Sequence, residues 1–208
     1  MSCDALSKSL RGSYRVEIKP ITLTGRVARL EPLEFHHAEG LAEAATPELF
    51  TYHFPPPEFS AAGFRAMIQY LLSLGTYCPY AILARETDRV LGMTSYLDVR
   101  PRDRGVEVGF TWLSKASQGS LVNPECKYLL FRHAFDDQGA VRVQLKTDLR
   151  NLQSQRAIEK LGAVREGVLR QHMMRPDGYI RDTVMYSIIA AEWPEVRGRL
   201  EERLGYVP

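Results

Sequence analysis

The period of hydrophobic and polar positions changes several times along the chain, and each change marks an element. The stretch "ITLTGRVARLEPL" alternates apolar and polar residues around Val27 and Leu30 and stops at Pro32, which predicts one strand ending in a turn. Residues 36–45 read as a short helix, and the three prolines of "HFPPPEFS" make the next segment a rigid connector. Phe64, Met67, Ile68, Leu71 and Leu72 then recur at helical spacing, with Gly75 just past the end of the stripe. Residues 77–86 and 89–99 predict a hairpin about Thr87-Asp88, and residues 106–113 form a third strand after the polar turn "RPRDRG".

A helix opens next, with Asn123 as its expected N-cap and Pro124 as its first helical residue. Cys126, Leu129, Leu130 and Ala134 make its apolar side, Phe131 and Phe135 widen it, and Gly139 ends it. Val141, Val143 and Leu145 alternate with Arg142, Gln144 and Lys146, again a strand. Asn151 caps a helix that stops at Gly162, two strands follow around "RPDGY", and residues 192–204 close the chain as a helix. Three successive strands imply an antiparallel portion, and the later strand–helix–strand unit a parallel crossover. The pattern predicts a single mixed α/β domain over residues 21–208, its sheet of about seven strands flanked by helices. Residues 1–20 are polar and lack the apolar core of a secretory signal, so a mobile extension is expected there.

Charge and composition remove alternatives rather than add any. A net charge of +2 is too small to argue for a nucleic acid partner. Cys3, Cys78 and Cys126 are odd in number and lack metal-like spacing, so neither a disulfide framework nor a zinc site is indicated, and the thiols fit a reducing cytosol. His36 and His37 are adjacent rather than four apart, which argues against a metal. No apolar run approaches a membrane-spanning length of about 18 residues. A cytoplasmic protein is expected.

The candidate chemistry gathers in two segments. "SKASQGSLVNPECKYLL" leaves a strand through small polar residues and opens a helix, whose unpaired N–H groups suit an anion. It is neither a P-loop nor a dinucleotide fingerprint. Glu125 in the first turn complements the helix dipole by itself, so the local residues leave a plain cap and an anion site equally open. In "NLQSQRAIEKLGA", Ala157, Ile158 and Leu161 mark a buried face, and Ser154 points to that same face. A back-bonded serine and an ordinary capping Asn151 are the alternatives.

With these segments the chain resembles the GNAT superfamily of acyl-CoA-dependent N-acyltransferases, closest to its ribosomal-protein alanine N-terminal acetyltransferase branch. The resemblance covers residues 23–204, through "LTGRVARLEPL", "GVEVGFTWL", "QGSLVNPECKYLLFRHAF", "LRNLQSQRAIEKLGAVREGVLR" and "DGYIRDTVMYSI" in order. It implies a strongly twisted mixed sheet in which strands four and five splay apart and acyl-CoA lies in the gap. Backbone groups near Leu113 would then pair with the pantetheine arm. The N–H groups of Gln118, Gly119, Ser120, Leu121, Val122 and Asn123 would hold the diphosphate, and Asn151 would reach the arm from the other side. The family loop usually reads Arg/Gln-x-x-Gly-x-Gly/Ala; here Ala116 and Leu121 take the outer positions and only Gly119 matches.

The implied reaction is direct attack of a primary amine on the acetyl-CoA thioester, with no metal. An α-amine is freed of its proton at pH 7 for about 1 kcal/mol and a lysine for about 4.6 kcal/mol, so an α-amine needs only modest help from a base. Glu107 matches the position where several family members carry their base. Alternation sets it opposite Val106, Val108, Phe110 and Trp112 and beside Gly109 and Thr111, on a side open either to a cleft or to plain solvent. Many members carry a tyrosine seven residues after the junction asparagine. This chain has Ile158 there, which leaves Ser154 as thiol donor or hydrogen-bond partner. His172 and Met173 either line the acceptor side or are structural residues of their strand. Arg142, Lys146, Arg156 and Lys160 are either attractors of the CoA 3′-phosphate or solvated charges. The acceptor is a protein N-terminus, such as that of a ribosomal protein, or a small-molecule amine taking an acetyl or succinyl group. A CoA-binding module without catalysis is the third reading, and a homodimer fits the family.

Overall fold

The single strand expected at the start of the domain is a tight hairpin. In the computed structural model, which describes residues 15–206, Leu23–Thr24 (β1) and Ala28–Pro32 (β2) pair antiparallel. The cause lies far away in sequence. The Glu125 carboxylate accepts the N–H groups of Arg26, Val27 and Ala28 at 2.8, 2.8 and 2.7 Å, and the Tyr206 hydroxyl donates to it at 2.8 Å. A Cβ on Gly25 would lie 2.4 Å from that carboxylate, so glycine is required at the turn. Glu125 therefore anchors the hairpin instead of merely complementing its own helix dipole.

This hairpin raises the strand count from the expected seven to eight, in the order β1-β2-β3-β4-β5-β6-β8-β7. Cys78–Ala84 (β3), Val90–Arg100 (β4) and Gly105–Leu113 (β5) extend β2 as an antiparallel meander. Arg142–Asp148 (β6) joins β5 in parallel; Ile180–Ile189 (β8) lies antiparallel to β6, and Val164–Met174 (β7) forms the edge. The helices are Ala38–Ala44 (α1), Ala61–Ser73 (α2), Val122–Arg132 (α3), Leu152–Glu159 (α4) and Trp193–Leu204 (α5). One core gathers Cys126, Leu129 and Leu130 of α3 with Val196 and Leu200 of α5 and with Val106, Val108 and Leu113 of β5. A second joins Leu41 of α1, Phe64 and Ile68 of α2, Phe50, and Trp112 of β5.

Of the extension expected at residues 1–20, the described part is tied down: Val16 is buried, and its N–H donates to the Pro101 carbonyl at 3.3 Å. The rest, with Cys3, lies outside the described residues. Among the described residues, no helix is long and apolar enough to cross a membrane.

Two features of β5 place the site. It pairs with β6 only at Gly105–Arg142, Val106–Val143 and Glu107–Gln144, whereas β6 stays paired with β8 out to Asp148. Beyond Glu107 the two strands diverge. There β5 carries a bulge: Gly109 faces Ser95 and Trp112 faces Met93, with Phe110 at φ +49°. A bulge adds a residue to one strand and sharpens its twist. It also overturns the alternation expected for this strand. Val106 and Val108 enter the first core, while Phe110 and Trp112 enter the second. Thr111 turns toward Lys127 of α3, away from the side it was expected to share with Glu107.

Candidate active site

The divergence of β5 and β6 leaves a cleft of about 520 Å³ that runs through the sheet. Leu113, Gln118, Gly119, Asn123, Asn151 and Ser154 border it, so the two sequence segments do converge. Gly119 has φ +77° and open space where a Cβ would be. Among the described residues the N–H groups of Gly119, Ser120 and Leu121 donate to no protein acceptor. Successive free N–H groups in a turn are the kind of backbone arrangement that can receive an anion.

The helix behind this loop starts earlier than its sequence suggested. Asn123 is inside the first turn of α3 and caps nothing. The Ser120 hydroxyl accepts the Val122 N–H at 3.2 Å and donates to the Ser117 carbonyl at 2.7 Å. Ser120, Leu121 and Val122 do not border the cleft, and of these Val122 is buried in the core. The Leu113 carbonyl accepts the Gln118 side-chain amide at 3.3 Å, so a ligand pairing there competes with Gln118.

On the opposite wall, Asn151 caps α4 as expected: its side-chain oxygen accepts the Ser154 N–H at 3.0 Å. Its side-chain N–H groups have no protein acceptor among the described residues. The Ser154 hydroxyl makes no bond to the carbonyl one turn back, which removes the back-bonded reading. Ile158 is buried below it. Gln153 donates across to Gln118 at 3.4 Å, linking the two walls.

Glu107 is neither in the open cleft nor in solvent. It is 1 % exposed, 3.0 Å from the Lys146 ammonium, and accepts the Gln144 amide at 3.1 Å. Its Oε1 lies 3.2 Å from where a Cβ on Gly109 would stand. Gly109 and Lys146, which do border the cleft, separate it from the open space. Lys146 is thus engaged with Glu107, and both terminal nitrogens of the Arg142 guanidinium hold the Glu166 carboxylate, so neither cation is free for a CoA phosphate. His172 and Met173 do not border the cleft; β7 lies beyond β8 at the sheet edge.

Sequence reasoning passed over several polar side chains of the cleft wall, His53, Lys127 and Arg181 among them. His53 lies edge-on to Phe110, and its backbone carbonyl accepts the Arg175 guanidinium at 3.1 Å. Burial, then Arg181, Arg175 and Lys127, push its imidazole down to about 4, so it is neutral at pH 7. Lys127 is 5 % exposed and donates to Thr111 Oγ1 at 2.6 Å and Thr94 Oγ1 at 3.5 Å. Burial pushes the ammonium down to about 8. Its sequence neighbours Cys126 and Tyr128 are both buried. That was the available signal, for a helical lysine is ordinarily read as solvated. Among the described residues one group of possible metal ligands converges, Glu31, His36 and His37. There the His37 Nδ1 already accepts the Glu34 N–H at 3.0 Å and its Nε2 lies 3.2 Å from Glu31.

A mixed sheet whose central parallel pair opens into a cleft beside a loop of free N–H groups is a ligand-binding α/β fold. The profile of the Acetyltransferase (GNAT) domain matches residues 28–164, and the chain belongs to that family. A T. thermophilus protein assigned to the acetyltransferases is 43% identical, with a TM-score of 0.85, covering 90% of this chain and 99% of that one. A GCN5-related N-acetyltransferase from Brucella melitensis is 25% identical with a TM-score of 0.87, over 94% and 90% of the two chains. The uncharacterised N-acetyltransferase p20 of Bacillus licheniformis is 26% identical over 168 residues, 79% of this chain and 93% of p20. Likeness of fold alone extends to Mycobacterium smegmatis RimJ in complex with CoA-disulfide, 17% identical with a TM-score of 0.75, over 89% and 95% of the chains. The chain is an acyl-CoA-dependent N-acetyltransferase.

Proposed function

We propose that this enzyme acts in the cytoplasm and transfers the acetyl group of acetyl-CoA to a protein N-terminal α-amine, such as that of a ribosomal protein. The observation that carries the reading is the divergence of β5 and β6 over the free N–H groups of Gly119, Ser120 and Leu121. In this reading those groups bind the diphosphate, the free edge of β5 and the Asn151 amide align the pantetheine arm, and the thioester meets the amine near the Phe110 bulge. The Ser154 hydroxyl, which borders the cleft, hydrogen-bonds the sulfur. Glu107 takes the amine proton through a water beside Gly109, since it has no direct opening to the cleft.

An α-amine acceptor suits this arrangement because it needs little deprotonation at pH 7. A peptide is favoured over a compact amine because the aromatic segment after His53, with Phe54 and Phe59 exposed, does not close the cleft. The test is calorimetric titration with acetyl-CoA, then thiol release with alanine-starting peptides against polyamines, aminoglycosides and amino acids. Peptide turnover is the expected result. Turnover confined to small amines refutes the acceptor, and no CoA binding at millimolar concentration refutes the whole reading. Glu107→Gln and Ser154→Ala are expected to lower turnover and leave CoA affinity unchanged. Unchanged turnover in both variants removes those two roles.

A further inference from the structure

Lys127 is a buried ammonium whose partners, among the described residues, are two threonine hydroxyls. An uncompensated buried charge is costly, and it seeks an anion. Among the described residues no carboxylate lies within ion-pair distance of Nζ. The titratable groups that act on it or feel it are Cys126 on its own helix and His53 on the connector, whereas Thr94 of β4 and Thr111 of β5 are neutral. The acceptor of its charge therefore has to come from the cleft, which Lys127 borders.

Its position along β5 says which part of the ligand it meets. The diphosphate loop lies past Leu113, and the cleft begins just past Glu107, at the last β5–β6 pair. From Leu113 back to Gly109 is about 13 Å of strand, a span that an extended pantetheine arm can cover. Its reactive end then enters the bulge between Gly109 and Trp112, the segment that contains Thr111, whose hydroxyl accepts Nζ at 2.6 Å. We propose that Lys127 is a catalytic residue, the acid that protonates the departing CoA thiolate; this rests on the acetyl-transfer reading above. The amine nitrogen forms its bond to the carbonyl carbon, and the carbon–sulfur bond breaks with its electron pair going to sulfur. Sulfur takes a proton from Nζ, the amine nitrogen gives one proton to Glu107 through water, and Nζ recovers that proton from Glu107 by way of solvent, so one proton passes from amine to sulfur for each acetyl group transferred. Ser154 can hydrogen-bond the sulfur but is no acid at neutral pH. Ile158, buried beside Ser154 on the same helix, has no proton to give, whereas Lys127 borders the cleft with its ammonium held in the β5 bulge. An ammonium pushed down to about 8 is mostly charged at pH 7 yet gives up its proton readily.

The experiment compares wild type, Lys127→Met and Lys127→Arg with acetyl-CoA and an alanine-starting peptide, and separately titrates the thiol of enzyme-bound CoA by its thiolate absorbance. Lys127→Met is expected to lower kcat by about 100-fold with KM for acetyl-CoA unchanged, and to lose the fall in rate near pH 8. Lys127→Arg, a charge that cannot give up its proton, is expected not to recover kcat. The bound thiol is expected to titrate higher in Lys127→Met than in wild type by about one pH unit or more. A kcat near wild type in Lys127→Met, or full recovery by arginine, overturns the proposal. So does a bound thiol of equal acidity in wild type and Lys127→Met, a readout that needs no acceptor and no turnover. A wild-type protein that releases no thiol with any amine instead overturns acetyl transfer itself.

Discussion

Lys127 also makes a claim about stability, independent of any ligand. Its folded ammonium titrates at about 8, below the ordinary lysine value, because burial disfavours the charge. Between that value and the ordinary one the unfolded chain binds more protons, so stability must rise with pH across this window. Below pH 8 both states are charged and the full penalty applies, about 3 kcal/mol. Lys127→Met keeps the volume and removes the charge, and Thr94 and Thr111 keep their mutual 2.7 Å hydrogen bond. We expect this variant to be more stable than wild type in urea at pH 7, and the difference to shrink by pH 10. A variant that is less stable at pH 7 would mean the ammonium is already compensated. Such a gain, beside a loss of turnover, is the pattern of a charge kept for chemistry.

At the scale of elements, the β1–β2 hairpin depends on one side chain from α3. Glu125→Ala strips three turn N–H groups and a tyrosine hydroxyl of their acceptor, and the expected loss is about 2–3 kcal/mol in chemical denaturation. Gly25→Ala is expected to cost about 1–3 kcal/mol by forcing the same carboxylate aside. A stability within error of wild type for Glu125→Ala would show that water replaces the carboxylate. Gly119→Ala tests the loop instead: positive φ disfavours alanine by about 1–2 kcal/mol, and calorimetry should show weaker acetyl-CoA binding. These features also mark what the sequence could and could not disclose. Strands with clean alternation, such as Val141–Val143–Leu145, and stripes such as Phe64–Ile68–Leu71 were legible because their cause is local. The hairpin was not, since its acceptor is about a hundred residues distant. The bulge was hidden because Phe110 and Thr111 look like ordinary strand residues until pairing with β4 fixes their register. The candidate site was legible in its loop and in Asn151 and Ser154, which are set by capping and spacing. Glu107 was misread as open because its burial depends on Gln144 and Lys146 of another strand.

For the whole molecule, the question is whether ligand binding completes the sheet or merely rests on it. On one side of the divergence β2, β3, β4 and β5 form a continuous antiparallel layer, and on the other β6, β8 and β7 form a second. Three β5–β6 pairs are the direct strand link between them. Arg175 adds a strap near the mouth: it sits just past β7 and donates to the carbonyls of Thr51 and His53 at 2.6 and 3.1 Å. A ligand seated in the cleft would supply groups for the unpaired edges of β5 and β6. It should then protect the amides it covers and hold the two layers together. Acetyl-CoA at 100 times its Kd is expected to raise global stability by about 2.7 kcal/mol. The expected hydrogen-exchange slowing beyond that global gain is confined to residues 108–113, 118–123 and 145–154. The β7 edge, two strands away from the cleft, should change only with global stability. Local slowing concentrated in β7, or a stability gain with no local slowing in β5, would place the ligand outside the divergence and remove the basis for every role assigned to the cleft.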